Sequence, residues 1–288
     1  MKNFLSYLCR YHLKKEFIMK KIIVLIFLLF VSYAQAQEIN FFGKAKEGGI
    51  IIGVGKNISK VMLNNQKLLF DKSGMFIFGF DRDAKGKQKL KVTFKNKKTK
   101  TFVYDLKKRE YETQRLKIAS KFVTPSKQEL NRIKNETAEM KTARAEFSNS
   151  GDAMYSSGFA YPLDSVKITG VFGSQRILNG RPANVHNGLD FSAEEGDSIR
   201  AISNGIVRIA GEHFFYNGNF VLLDHGQGLS SVYLHMSKLL VETGQQVKKG
   251  EVLGLIGATG RATGPHLHLG VQWYKKRIDP MSLFEVKF

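Results

Sequence analysis

Cysteine is almost missing from this 288-residue chain: Cys9 is the only one. It precedes an apolar run, so it does not fit a lipoprotein attachment site. If the chain is cleaved after Ala36, no thiol remains, which excludes disulfides and thiolate ligands for a metal. Acidic residues are also scarce, 25 Asp and Glu against 45 Lys and Arg, for a formal charge of +20. Such a surplus calls for an anionic partner: nucleic acid, a membrane surface or a cell-wall polymer. The lysines are spread over polar faces rather than gathered in one arginine-rich tract. The apolar run near the N-terminus, Ile22 to Val31, is too short for an ordinary transmembrane helix.

That run belongs to MKKIIVLIFLLFVSYAQAQ, residues 19 to 37. Two lysines, an apolar core and Ala34-Gln35-Ala36 form the pattern of a secretory signal peptide; the competing reading is an uncleaved membrane anchor. Residues 1–36 are therefore expected to be leader and signal peptide, with the signal core at 19–36 and the start at Met1 or Met19. Export to the periplasm or cell envelope follows, with no membrane span after cleavage. It weighs against nucleic acid as the partner.

Residues 37–120 are expected to form a small β-sandwich. Runs such as IIIGVG, MFIFGF and KLKVTFKN are rich in β-branched and aromatic residues and are separated by turn signals. In KLKVTFKN, Leu90, Val92 and Phe94 alternate with Lys89, Lys91 and Lys95, one buried face and one cationic face. This region has no histidine and no acidic cluster, so no chemistry is assigned to it. Residues 121–154 are expected to be a connector. Ser126 with Glu129, after Pro125, matches a capping box, and Leu130, Ile133, Thr137, Met140 and Ala143 or Arg144 give a narrow apolar stripe. From residue 155 to 288, glycines recur between short strands, the signature of antiparallel β-structure with tight turns.

The histidines with chemical potential lie in that last segment. In PHLHLGVQW, alternation puts His266, His268 and Gly270 on one face and Leu267, Leu269 and Val271 on the other. Two imidazoles about 7 Å apart on one face could serve metal or acid–base chemistry, or be surface residues in register. In HNGLDF, His186 and Asp190 are four apart, and Asn187-Gly188 disfavours a helix; an extended segment still puts both on one face. Two histidines and one carboxylate suit zinc and leave a coordination position open for water. In SSVYLHM, Tyr233 and His235 fall on one face, where His235 is either functional or a core histidine. His225 reads as a turn histidine bonded to backbone.

In order and spacing, His186-x-x-x-Asp190, VYLHM and Gly264-Pro265-His266-Leu267-His268 resemble the lysostaphin-type zinc metallopeptidases, the peptidoglycan endopeptidases. The resemblance runs from about Tyr161 to Pro280. The N-terminal β-region and connector are similar to exported Gram-negative members. This implies a lysostaphin-like antiparallel β-sheet peptidase domain behind the sandwich, a mostly β fold, and one zinc ion. By the same resemblance His186, Asp190 and His268 are the zinc ligands, His235 and His266 the catalytic histidines, and Arg176 and Asn179, in the stretch Arg176 to Gly180, candidate substrate contacts. The substrate implied is peptidoglycan. A D-alanyl–diaminopimelate cross-link is favoured over glycine bridges, because no polyglycine-binding module accompanies the Gram-negative-like leader. With no H-E-x-x-H motif, histidine must act where a glutamate acts elsewhere.

Two other readings stand beside this one. GQQVKKGEVLGLIG resembles the hairpins of lipoyl and biotinyl carrier domains, but that reading leaves the five site residues unexplained. A wall-binding protein without catalysis is the other, and the five intact positions argue against it. The sandwich could also cover the groove as an autoinhibitory element.

Overall fold

The computed structural model describes residues 38–106, 108–145 and 151–288. The expected leader and signal peptide lie outside the described residues. Within them the fold is mostly β.

The first strands form two antiparallel sheets. One contains Ile39–Gly43, Ile50–Gly55 and Met75–Gly79; the other contains Gln66–Leu68, Ile58–Leu63, Gly86–Phe94 and Thr99–Leu106. Leu90, Val92 and Phe94 are buried while Lys89 and Lys91 are exposed, so the alternation in the sequence does set the inward face. Phe41 lies edge-on to Phe76 and Phe78 of its own sheet and to Phe102 and Tyr104 of the other, which ties the two sheets face to face.

The sandwich ladder ends at Leu106. Thr113–Leu116 pairs in parallel with Gln175–Leu178 instead, far along the chain. The connecting helix is Lys127–Ala145. Its capping box forms as the sequence predicts: the Ser126 amide donates to Glu129 Oε2 at 2.6 Å, and the Glu129 amide donates to Ser126 Oγ at 3.2 Å. The inward stripe differs in detail. Leu130 is exposed, while Ala143 is buried and Glu136 faces inward to accept the Phe215 amide at 2.9 and 3.1 Å.

The C-terminal part is built on an eight-stranded sheet. Its main path runs Gln246–Val247, Gly205–Phe214, Gly218–Gly226, Leu229–Met236, His266–Trp273, Gly188–Ser192, Ile168–Gly170, and Lys276–Ile278 pairs with His266–Trp273 off this path. A three-stranded sheet of Ser198–Arg200, Val252–Leu255 and Lys238–Leu239 accompanies it. Leu267, Leu269 and Val271 are buried in the core, as their alternation predicts, each stabilising the fold by about 1.5–3 kcal/mol. Their partners on the same strand, His266 and His268, are thereby turned to the opposite face.

The apolar cluster is continuous from Ile50, Phe78 and Leu90 of the sandwich to Tyr233, Leu269 and Trp273 of the large sheet. Polar ties reinforce the junction. Arg109 Nη1 lies 2.6 Å from Asp279 Oδ2, with Asp279 only 2 % exposed. Gln227, buried in a left-handed turn, donates to Met75 O at 3.0 Å and accepts from the Tyr155 hydroxyl at 2.6 Å. No helix among the described residues is long and apolar enough to cross a membrane.

Candidate metal and catalytic centre

Strand register brings the first pair together. Gly188–Ser192 runs antiparallel to His266–Trp273, with Asp190 directly opposite His268 and Ser192 opposite His266. Residues paired this way share a face and lie close enough to interact. His186 precedes the strand and is fixed by its backbone: its amide donates to Ser174 O at 2.9 Å, and its carbonyl accepts from Gly173 N at 2.8 Å.

The ring of His186 is oriented too. Nδ1 lies 2.9 Å from Val171 O, and a carbonyl can only accept, so Nδ1 carries the proton and Nε2 a lone pair. That Nε2 lies 3.0 Å from Asp190 Oδ1 and 3.1 Å from His268 Nδ1, and His268 Nδ1 lies 2.8 Å from the same oxygen. Lone pairs of an imidazole and a carboxylate facing each other at this distance repel unless a cation sits among them. Zinc ligands at about 2.0–2.1 Å on a tetrahedron would stand roughly 3.3 Å apart. The triangle is close to that size, and its donor chemistry fits the ion.

Glycines make room for the triangle. A Cβ on Gly170 would come 2.4 Å from Asp190 Oδ2, and one on Gly188 would come 2.8 Å from His268 Nε2. The second carboxylate oxygen is held by Arg176, whose Nη2 donates to Oδ2 at 2.7 Å. This turns Oδ1 toward the histidines. Burial pushes the Asp190 carboxyl up, but its contacts with His186 and His268 prevail and hold it well below the usual range. Burial lowers His268 to about 4 against the pull of Asp190, so at neutral pH its ring is unprotonated, the form a metal needs.

His235 reaches the same face by an irregularity. Leu234 lies opposite His268 and Tyr233 opposite Leu269, so strict alternation would send His235 coreward with Tyr233. The expectation that Tyr233 and His235 share a face is therefore corrected. The ladder with Gly218–Gly226 slips between Asn219 and Val221, and His235 takes a positive φ of 70°. A bulge of this kind re-aims a side chain. The Tyr233 hydroxyl stays inside, accepting the Ile202 amide at 2.9 Å, while the His235 ring sits 4.8 Å from that of His266 and 6.3 Å from that of His268.

Both of these rings are anchored through Nδ1, His235 to Thr259 O at 2.8 Å and His266 to Gly264 O at 2.8 Å. The carbonyl contacts again assign the proton to Nδ1 and leave Nε2 an acceptor. Burial, with the neighbouring His266 and His268, drives His235 down to about 3. All five residues line one groove of about 660 Å³.

Arg176 and Asn179 are engaged elsewhere than expected. Arg176 spans Asp190 and the Gln114 side chain, which accepts from Nε at 3.0 Å. Asn179, at φ 50°, exchanges two hydrogen bonds with the backbone of Ile118, at 2.8 and 2.9 Å. Together they bind the segment after the sandwich as a groove wall, which Gln114, Leu116, Ile118, Phe122 and Val123 line. The sequence reading missed this wall, because pairing between residues some sixty apart leaves no local signal. It also passed over Tyr216, Asn217 and Arg261 in the groove, although Arg261 stands within the conspicuous run GATGRATG.

Comparison with known proteins identifies the family of this region. The Peptidase family M23 profile matches residues 184–280, a span containing all three cluster residues and both further histidines. Peptidoglycan DD-endopeptidase ShyA of Vibrio cholerae is 38% identical over 141 residues, 48% of this chain and 32% of the relative. DD-carboxypeptidase/endopeptidase Mpg of Neisseria gonorrhoeae is 34% identical over 122 residues, 42% of this chain and 28% of the relative. The chain thus spans about a third of the length of the curated relatives it matches. A crystal structure described as a peptidase M23 from Pseudomonas aeruginosa is 30% identical, superposes with a TM-score of 0.61, and covers 84% of this chain and 96% of its own. Profile and structural likeness coincide, and the chain belongs to peptidase family M23.

Proposed function

We propose that the chain is an exported zinc endopeptidase that hydrolyses peptide cross-links of peptidoglycan in the periplasm or cell envelope, at D-alanyl–diaminopimelate bonds. One observation carries the reading: three potential ligand atoms, from His186, Asp190 and His268, lie within 3.1 Å of one another on a groove wall. Two nitrogens and one oxygen suit zinc, and three protein ligands leave a position for water. Relatives named as peptidoglycan DD-endopeptidases supply the substrate class and favour this cross-link.

Bound zinc would polarise the scissile carbonyl and lower the pKa of water toward ~7. The protein's own groups do the rest. His186, Asp190 and His268 hold the ion; Arg176 keeps Asp190 turned to it. His235 and His266 each offer Nε2 to the groove, unprotonated at neutral pH in the case of His235. One of these nitrogens takes a proton from the attacking water; the other, once protonated, donates to the developing oxyanion.

The test uses the purified full chain, with zinc content measured by elemental analysis and muropeptide release followed from isolated sacculi. His186→Ala is expected to lose zinc and release together; stoichiometric zinc retained in that variant would overturn the ligand set. His235→Ala is expected to keep zinc and slow roughly 10²–10⁴-fold. Near-normal rates would return His235 to a packing role, and tight wall binding without any release would remove the enzyme reading.

A further inference from the structure

We propose that Arg261, lying on the ring of Tyr216, is a specificity residue that receives a free carboxylate of the peptide substrate. This rests on the peptidase reading and names the substrate feature the groove selects. The argument starts from charge. Arg176, Arg181 and Arg261 line the groove, and Asp190 is the one acidic residue among its described lining. Asp190 is already committed to Arg176 and the two histidines. Arg261 therefore has no acidic partner among the described residues, although it is half-buried and close enough to Arg176 to feel its charge. A partly desolvated cation set beside another cation opposes folding unless something else compensates it. A ligand anion does so.

The geometry is prepared for that ligand. The guanidinium carbon lies 4.6 Å from the centroid of the Tyr216 ring, a cation–π contact that holds the planar group while leaving its N–H edges free. The Arg261 amide donates to Tyr216 O at 2.9 Å, which locks the two residues together. Tyr216 is itself propped: Phe122 of the groove wall packs on Phe215 at 5.3 Å and on Tyr216 at 6.5 Å. Glu136 of the connecting helix holds the Phe215 amide. A fixed guanidinium fork recognises a carboxylate through two parallel hydrogen bonds.

The test compares two substrates for the full-length, zinc-loaded protein: a cross-linked muropeptide dimer with free carboxylates, and the same dimer with them converted to primary amides. The wild type is expected to favour the acid form in kcat/KM by roughly ten- to a hundredfold, mainly through KM, the size of a charge-assisted hydrogen-bonded pair. Arg261→Gln is expected to bring that ratio close to one, and Arg261→Lys to keep part of it, since an ammonium cannot form the fork. Equal cleavage of both dimers by the wild type, or an unchanged ratio in Arg261→Gln, overturns the proposal and leaves the peptidase reading standing. Absence of zinc-dependent cleavage of either dimer overturns that reading and this inference with it. The wild-type ratio needs no variant, so it decides even where a variant fails to fold.

Discussion

His225 and His235 are both nearly shut off from solvent, yet their surroundings give them different work. The His225 ring is closed in on both sides, with Nδ1 2.7 Å from Asn204 O and Nε2 2.7 Å from Ser231 Oγ, and it does not line the groove that holds the other histidines. Its sequence context, a strand end before Gly226, already suggested a backbone-bonded turn histidine. Burial lowers its pKa, outweighing the Asn204 bond and the Asp224 charge, which raise it. An unfolded histidine titrates near 6.5, so below that pH the unfolded chain takes up a proton the folded one refuses. The stability this ring contributes is thus present above about pH 6.5 and lost as pH falls through the folded value. With metal chelated, the melting temperature of the wild type is expected to drop from pH 7 to pH 5. His225→Gln should melt lower at pH 7 but with a shallower pH slope, because the other histidines titrate alike in both proteins. Equal slopes by calorimetry would mean that His225 is not the acid-sensitive group.

Among the elements, two strands were legible from the pattern of the sequence and one bulge was not. Alternation placed Leu267, Leu269 and Val271 inside and His266 and His268 outside, and the i, i+4 spacing of HNGLDF anticipated that His186 and Asp190 would meet. What alternation could not convey was the bulge at His235, since a period of two carries no mark where a ladder slips. Thr259 is the residue that fixes this bulge, by direct hydrogen bonds to both of its strands. Its Oγ1 accepts the Asn219 amide at 2.9 Å and donates to Met236 O at 2.8 Å, while its carbonyl holds His235 Nδ1. A Cβ on Gly218 would come 2.2 Å from that same hydroxyl, so the hairpin tip and the loop are packed without slack. Thr259→Val keeps the shape and removes two hydrogen bonds, leaving a buried donor and acceptor unpaired. A loss of about 1–3 kcal/mol in unfolding free energy is expected, together with a fall in turnover at unchanged zinc content. Chemical denaturation and elemental analysis check the two parts, and turnover equal to wild type would separate Thr259 from the placing of His235.

At the scale of the whole molecule, the sandwich and the large sheet share one apolar core, while the connecting helix packs through Ala143 on a second cluster with Ile209, Phe220, Leu222 and Val232, and this bears on whether the N-terminal region restrains the groove or completes it. Ile77 of the sandwich is buried on the side of its sheet away from Phe76 and Phe78, and a Cβ on Gly79 would come 2.6 Å from Ile278 of the large sheet. Gln114 and Phe122 line the groove as wall residues that brace Arg176 and Tyr216, and neither is among the hydrogen-bond partners of the three ligand atoms. His266 and His268 remain partly exposed with these walls in place. Removing the N-terminal region would therefore strip support from Asp190 and the Tyr216 platform and expose apolar surface, rather than unblock a covered site. A chain beginning at Met154 is expected to melt at lower temperature, bind zinc more weakly and release muropeptides more slowly than a chain beginning at Gln37. The full-length protein should unfold in a single transition, as one continuous core dictates. Scanning calorimetry, zinc competition and release assays on the two chains measure this. A Met154 chain that is faster than the longer one would show that the wall acts as a brake.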